Sequence, residues 1–159
     1  MRKHRMVRMV ALSICLVLTV FLLSACQNGG ELVLTHEDGA EVKITVEQFG
    51  ASVSVSNNVL SIVKGDNRLI AQLVDHKFVE QVNSVYGNRD GYNTFEVNGR
   101  SSISYVNNVD TEHIISIDDG TYLRLASASQ DFLFDVESRI SFEVLKPSKT
   151  EDFASHFSE

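Results

Sequence analysis

From Gly30 onward, hydrophobic and polar residues alternate over short stretches, and turn residues separate these stretches. Segments such as AEVKITVE, ASVSVS, RSSISYVN and TYLRLASA have a period of two, which predicts half-buried β-strands. Between the segments lie dipeptides typical of tight hairpin turns. They are Asp38-Gly39, Asn57-Asn58, Asp90-Gly91, Asn98-Gly99 and Asp119-Gly120, with Gly65-Asp66-Asn67 as a further turn. The pattern therefore predicts a succession of antiparallel hairpins.

Two stretches change to a helical period. In DHKFVEQVNSVYG, Asp75 is a suitable N-cap and Gly87 a suitable stop. Its apolar stripe comprises Phe78, Val79, Val82, Val85 and Tyr86. In the second stretch Ser129 can cap a helix, and the stripe comprises Phe132, Leu133, Val136 and Ile140. An alternating segment over 140–145 predicts a last strand, which Pro147 ends.

The order of strands, helix, strands and helix predicts an α+β fold, with an antiparallel sheet of hairpins and two main helices packed on it. A mostly β sandwich or barrel is the alternative. We expect a single domain over residues 31–146 and a C-terminal tail over 147–159. In the tail, Ser148 and Glu151 have the spacing of a capping box, and Phe153 and Phe157 lie four apart. A short docked helix, a frayed tail and a partner-binding helix all fit this pattern.

The segments IDDGTYLRLAS and QDFLFDVESRISFEVL follow one another near the end of the domain. This close, with a hairpin, a helix and Ile140-Ser141-Phe142, resembles the PsbP/Mog1-like domains, some of which are bacterial lipoproteins. The resemblance implies a binding or assembly-accessory role and brings no catalytic motif.

The N-terminal 25 residues have the pattern of a secretory signal, with four basic residues before an apolar run over 10–23. The run is short for a transmembrane helix, which needs roughly 20 apolar residues. It ends in Leu23, Ser24, Ala25 and Cys26, which resembles the bacterial lipobox. The resemblance implies that signal peptidase II cuts before Cys26, which carries the lipid. An ordinary cleaved signal and an uncleaved anchor are the alternatives.

Lipidation predicts attachment to the cell membrane or outer membrane at its extracytoplasmic face, through acyl chains on Cys26. One acyl chain holds a protein only marginally, whereas two or three hold it stably. Residues 26–30 are then the lipidated cysteine and a short tether. Gln27 differs from the Asp that, in Gram-negative lipoproteins, implies retention in the inner membrane.

Charge and cysteine content narrow the function of the mature chain. Loss of residues 1–25 removes four of the 14 basic residues and none of the 21 acidic ones, which changes the formal charge from −7 to −11. This charge argues against nucleic acid as a partner and against a domain lying flat on anionic lipid. The signal contains Cys15, so Cys26 is the single cysteine left, and neither a disulfide nor thiol catalysis is expected.

Candidate chemistry is sparse. His36, His76, His113 and His156 have no metal-ligand spacing, and we expect His113 and His76 to be exposed. The acidic pairs Glu37/Asp38 and Asp118/Asp119 fall in turns, where Asp bonds the local backbone. No nucleophile elbow, P-loop or dinucleotide fingerprint occurs. We therefore predict no catalytic residues, no metal and no cofactor.

The most site-like stretch is YGNRDGYN, a loop that leaves the first helix. Its candidate ligand residues are Tyr86, Asn88, Arg89, Asp90 and Tyr92; a solvated connector is the alternative. The sequence predicts a lipid-anchored binding or accessory module of the bacterial envelope, non-enzymatic, with an envelope protein as partner. A small-ligand-binding lipoprotein and an envelope hydrolase are the alternatives.

Overall fold

The computed structural model describes residues 30–97 and 99–148, which form ten strands and two helices. The strands before the first helix are β1 (Gly30–Thr35), β2 (Glu41–Val46), β3 (Ser52–Ser56), β4 (Val59–Lys64) and β5 (Asn67–Asp75). Helix α1 (His76–Tyr86) follows, and then β6 (Asn93–Val97), β7 (Arg100–Asn107), β8 (Asp110–Ser116) and β9 (Thr121–Ser127). Helix α2 (Gln130–Glu137) and β10 (Ile140–Lys146) complete the described chain.

Seven strands form one large antiparallel sheet with the order β3-β4-β5-β9-β8-β7-β6. Tight turns set its register. Between β3 and β4, Asn57 and Asn58 adopt φ values of 50° and 60°, the left-handed pair that a two-residue hairpin turn needs. Asn tolerates this backbone better than other residues with a side chain, which explains why the sequence signal was reliable here.

The remaining strands form a small sheet with the order β1-β2-β10. Its last strand comes from the far end of the chain, and Ile140 and Gly30 both pair with Val46. The expected single sheet is therefore two sheets. The coarse prediction of an α+β fold is confirmed, but strands make up 56% and helices 16% of the described residues, so the fold approaches the mostly β alternative.

The main core lies between the two sheets, because both turn alternate apolar residues toward each other. Val42, Ile44 and Val46 come from β2, and Leu123 and Leu125 from β9. Helix α2 adds three buried residues, Phe132, Leu133 and Val136. It begins where predicted, because the Ser129 side chain accepts a hydrogen bond from the Phe132 amide.

Helix α1 packs on the other face of the large sheet, over Val74, Tyr105 and Ile114. Asp75 caps it as predicted, with Oδ1 accepting from the Phe78 amide at 2.9 Å. Gly87 follows the helix but stays right-handed at φ −55°, so the helix ends without a left-handed glycine. The predicted stripe was too wide: Val79 and Val82 are buried, whereas Val85 is 49% exposed.

Neither of the helices that the structure describes is long and apolar enough to span a membrane.

The described chain starts at one end of the sandwich, here called the Gly30 end. Phe49 follows β2 at this end and its ring lies under the Lys64 ammonium, 5.0 Å from the centroid, so the β4–β5 turn is there too. In the large sheet, Leu69 near the start of β5 pairs with Ser127 at the end of β9, and Ser127 pairs with Thr111 near the start of β8. These pairings place the β7–β8 turn at the same end. The Asp38-Gly39 and Asp119-Gly120 turns lie at the opposite end, where Ser148 bonds Asp38.

Candidate functional site

The predicted ligand loop lies at the Gly30 end, where α1 leads into β6. Its tyrosines and its arginine contact the domain itself. The Tyr86 ring packs on Tyr105 with centroids 4.7 Å apart, and its hydroxyl donates to Asn107 Oδ1 at 3.0 Å. The Arg89 guanidinium lies 4.9 Å from the Tyr86 ring centroid. These contacts fix the start of the loop against strand β7.

The second half of the loop is held by Tyr92, whose hydroxyl donates to Asn83 Oδ1 at 2.7 Å. Gly91 adopts φ 87° and lies against Val106, so it supplies a backbone conformation that other residues rarely adopt. Asn88 and Asp90 are exposed. Of the five candidate residues, Tyr86, Arg89 and Tyr92 therefore anchor the loop, and Asn88 and Asp90 are free to contact something else.

Beneath this loop lies a buried polar network centred on Glu112, which is 1% exposed. Arg124 donates through Nε to Oε2 at 2.5 Å and through Nη2 to Oε1 at 2.6 Å. Tyr105 donates to Oε2 at 2.5 Å, and Asn107 donates to Oε1 at 3.0 Å. Both carboxylate oxygens thus accept two hydrogen bonds, which compensates for removing the charge from water.

The pKa values follow from this geometry. Burial alone would raise the pKa of Glu112, but the hydrogen bonds from Arg124, Tyr105 and Asn107 outweigh it and lower the pKa. Burial, together with the Glu112 hydrogen bond, raises the pKa of the Tyr105 phenol well above its ordinary value. The hydrogen bond to Glu112 raises the pKa of Arg124. The network is a fixed ion pair, and its phenol stays protonated.

Sequence reasoning missed this network. Glu112 and Arg124 flank the Asp119-Gly120 hairpin and both point to the α1 side of the sheet, because Glu112 pairs with Ala126 and Ile114 pairs with Arg124. The available signal was an acidic and a basic residue on the two strands of a clearly predicted hairpin, at positions whose side chains point to the same face of the sheet. The register decides whether they meet, and a single sequence leaves the register open.

The expectation that His113 is exposed was wrong. It is 1% exposed, and its ring stands edge-on between Phe95 and Phe134, each 5.2 Å away between centroids. Nδ1 lies 3.1 Å from Glu137 Oε1, and Nε2 has no hydrogen-bond partner among the described residues. His113 faces inward because β8 is buried on both faces, so alternation with Ile114 did not mark a solvent side.

The other described histidines pair locally. His36 Nδ1 lies 3.1 Å from Asp38 Oδ1 in the first turn. His76 is exposed, as expected, and lies between Glu80, at 3.3 Å, and the Tyr122 hydroxyl, at 3.2 Å. Within residues 30–97 and 99–148, no three His, Cys, Asp or Glu side chains are grouped so that they could hold a metal ion. His156 lies outside these residues.

Two open grooves lie on the α1 face of the large sheet. One, of about 610 Å³, is at the Gly30 end. Among its lining residues are Asp66, Arg68, Ile70, Asp110, Ala126 and Ser129. The other, of about 320 Å³, lies toward the opposite end and is lined by hydroxyl groups over Ile103 and Ile114. Its hydroxyl-bearing residues are Thr94, Ser101, Ser102, Ser116 and Tyr122.

The lipobox residues Leu23, Ser24, Ala25 and Cys26 lie outside the described residues, as does the capping-box partner Glu151. The chain matches no protein-family model, no curated protein and no solved structure.

Proposed function

We propose that this chain is a lipid-anchored module on the extracytoplasmic face of a bacterial membrane, with a non-enzymatic binding or accessory role. The observation that carries the proposal is the Leu23-Ser24-Ala25-Cys26 sequence at the end of a basic and apolar leader. All three residues before the cysteine match the lipobox pattern. The cysteine would then be the attachment point of the whole domain.

The position of the first strand supports this arrangement. β1 begins at Gly30, four residues after Cys26. Four residues reach at most about 14 Å when fully extended. A lipid on Cys26 would therefore hold the Gly30 end close to the bilayer, and the candidate loop at this end would face membrane components.

The non-enzymatic part is supported by how the charged side chains are used. Among the described residues, the most deeply buried carboxylate is that of Glu112, which accepts hydrogen bonds from three side chains. The segments behind the PsbP/Mog1-like resemblance correspond to the β8–β9 hairpin, helix α2 and strand β10. A fold whose buried carboxylate is satisfied by the domain's own side chains suits a module that presents a surface to a partner.

Small-ligand binding is the second candidate, favoured by the groove at the end away from Gly30. A volume of about 320 Å³ is at the lower end of the range for ligand pockets. Hydroxyl groups over an apolar floor suit a neutral, hydroxyl-rich ligand. This function is compatible with the same anchor, so the two candidates differ only in whether the domain binds an envelope protein or a small ligand.

Lipidation is tested by metabolic labelling with a radioactive fatty acid in a bacterial host. We expect the wild-type chain to take up label and the Cys26→Ala variant to take up none. Cys15→Ala is the matched control, because it removes the other cysteine of the chain and leaves Cys26 in place. Persistent labelling of Cys26→Ala would overturn the proposal.

In-cell cross-linking followed by mass spectrometry separates the two candidates. An accessory subunit should give one recurrent envelope protein, and the double variant Asn88→Ala/Asp90→Ala should reduce its yield. If no protein exceeds background, the accessory role is contradicted. The groove lined by Tyr122 should then be tested first.

A further inference from the structure

Exposed apolar side chains are concentrated at the Gly30 end. Eight large hydrophobic residues are exposed within the described part of the chain, and five of them lie at this end. These five are Val63, Val85, Val106, Val109 and Phe134. Single exposed hydrophobic residues are normal, but their concentration at one end indicates a contact surface.

Val106, Val109 and Phe134 are called here the apolar rim. Val109 is 79% exposed and follows Asn108 in the β7–β8 turn, where Asn108 adopts φ 57°. Val106 lies on the preceding strand, against Gly91 of the candidate loop. Phe134 is 46% exposed on α2, and its ring makes an edge-on contact with His113.

The helix that carries Phe134 is fixed at this end from both sides. α2 starts three residues after Ser127, which pairs with Thr111 next to the β7–β8 turn. After α2, the carbonyl of Arg139 accepts from the Glu47 amide, in the loop that follows β2.

Val106 and His113 lie on the same face of the large sheet as α2, because Val106 pairs with Thr111 and Ser104 with His113. The rim therefore borders one face at one end.

We propose that the apolar rim sits in the headgroup layer of the bilayer to which Cys26 is anchored, an inference that rests on the proposed lipidation. The tether supplies the argument for lipid as the occupant. Its reach of about 14 Å keeps the Gly30 end beside the membrane, whatever else is present. The bilayer is thus a surface that can take up apolar side chains and that the Gly30 end always faces.

The charges near the rim favour zwitterionic lipid. Asp135, next to Phe134, is paired with Arg139 at 2.9 Å. Asp110 follows Val109, Asp131 lies three residues before Phe134, and Arg89 lies on the neighbouring loop. Anionic headgroups would repel the two carboxylates, and the mature chain has a formal charge of −11. We therefore expect the rim to touch a phosphatidylcholine surface more closely than one rich in phosphatidylglycerol.

The test uses the absence of tryptophan from the chain, which makes any introduced indole the sole reporter. Val109→Trp and Phe134→Trp place it in the rim. Leu145→Trp is the matched control, because Leu145 is 48% exposed near the opposite end of the small sheet. Each lipidated protein is purified from bacterial membranes, checked for acyl chains by mass spectrometry, and reconstituted into phosphatidylcholine vesicles with brominated acyl chains.

We expect quenching of both rim tryptophans to be severalfold stronger than that of Leu145→Trp. Equal quenching at the three positions would overturn the proposal. Rim tryptophans that are shielded from solvent in native membranes but are not quenched in vesicles would overturn it too, since that would indicate a protein partner. Stronger quenching in phosphatidylglycerol vesicles would contradict the choice of zwitterionic lipid. A mass without acyl chains would instead overturn the proposed function itself, before any fluorescence is measured.

Discussion

At the scale of single residues, the Glu112 carboxylate is the most constrained charge in the described chain. It is buried under α1 and depends on Arg124 for its countercharge. Removing one partner of a buried pair leaves the other charge uncompensated, which usually costs more than the pair contributes. Arg124 is 17% exposed in its side chain, so part of the lost interaction would be recovered from water.

We expect Glu112→Gln to lower the free energy of unfolding by about 3 kcal/mol, because Arg124 loses its countercharge. Urea denaturation measures this directly. Glu143→Gln is the control, since Glu143 contacts Lys43 at 2.6 Å but is 62% exposed. The control should lose less than about 1 kcal/mol, as surface pairs do. Equal losses would contradict the assignment of Glu112 as the central charge.

Acid should weaken the wild-type chain through the same residue. The folded-state pKa of Glu112 is lowered from 4.5, so its contribution is present above pH 4.5 and is lost as the pH falls below that value. Hydrogen bonds from Ser148 and Ala40 likewise outweigh burial and lower the pKa of Asp38, and this contribution is common to wild type and variant. We expect denaturation curves to show a smaller acid loss for Glu112→Gln than for wild type.

At the scale of elements, side-chain caps decide where the two helices begin. Asp75 and Ser129 each accept a hydrogen bond from the amide three residues later. This satisfies one of the amides that a helix start leaves without a partner. Both caps were readable from the sequence, because the geometry is local and involves four consecutive residues.

Asp75→Ala should lower the free energy of unfolding by about 1 kcal/mol, because the Phe78 amide loses its acceptor. Asp75→Asn retains an acceptor oxygen and should lose clearly less. Thermal denaturation of the three proteins compares them. If the two substitutions destabilise equally, the cap is not what stabilises the start of α1.

At the scale of the whole molecule, stability depends on closing the sandwich. β10 has to reach β2, although nearly a hundred residues separate Val46 from Ile140. Such long-range pairing is slow to form, because much chain entropy is lost before the contacts are made. The apolar core between the sheets, rather than a covalent link, then holds the two halves together.

The mature chain should therefore have a melting temperature that reductant does not change. Cys26 is the one cysteine after residues 1–25 are removed, so no intrachain disulfide can form. Calorimetry with and without dithiothreitol measures this. A lower melting temperature in dithiothreitol would contradict the expectation and would indicate a cross-link between chains.

Periodicity and turn chemistry predicted the hairpins, both helices and the last strand, because these features depend on neighbouring residues. Periodicity also predicted that Val85 lies on the buried face of α1 and that His113 is exposed, and both predictions were wrong. Val85 is in the last turn and is 49% exposed, whereas the next residue, Tyr86, packs on Tyr105 of the sheet. His113 is on a strand buried on both sides, which alternation alone does not reveal.

By itself, the sequence determined the strand and helix segments, the caps, the left-handed asparagine turn, and the signal and lipobox pattern on which the proposed anchor depends. All of these are set by residues within a few positions of each other. Only the tertiary structure decided that there are two sheets, that Glu112 meets Arg124, and that the candidate loop, the β7–β8 turn and Phe134 share the Gly30 end. These depend on strand register and on pairing between distant segments, which local preferences leave open.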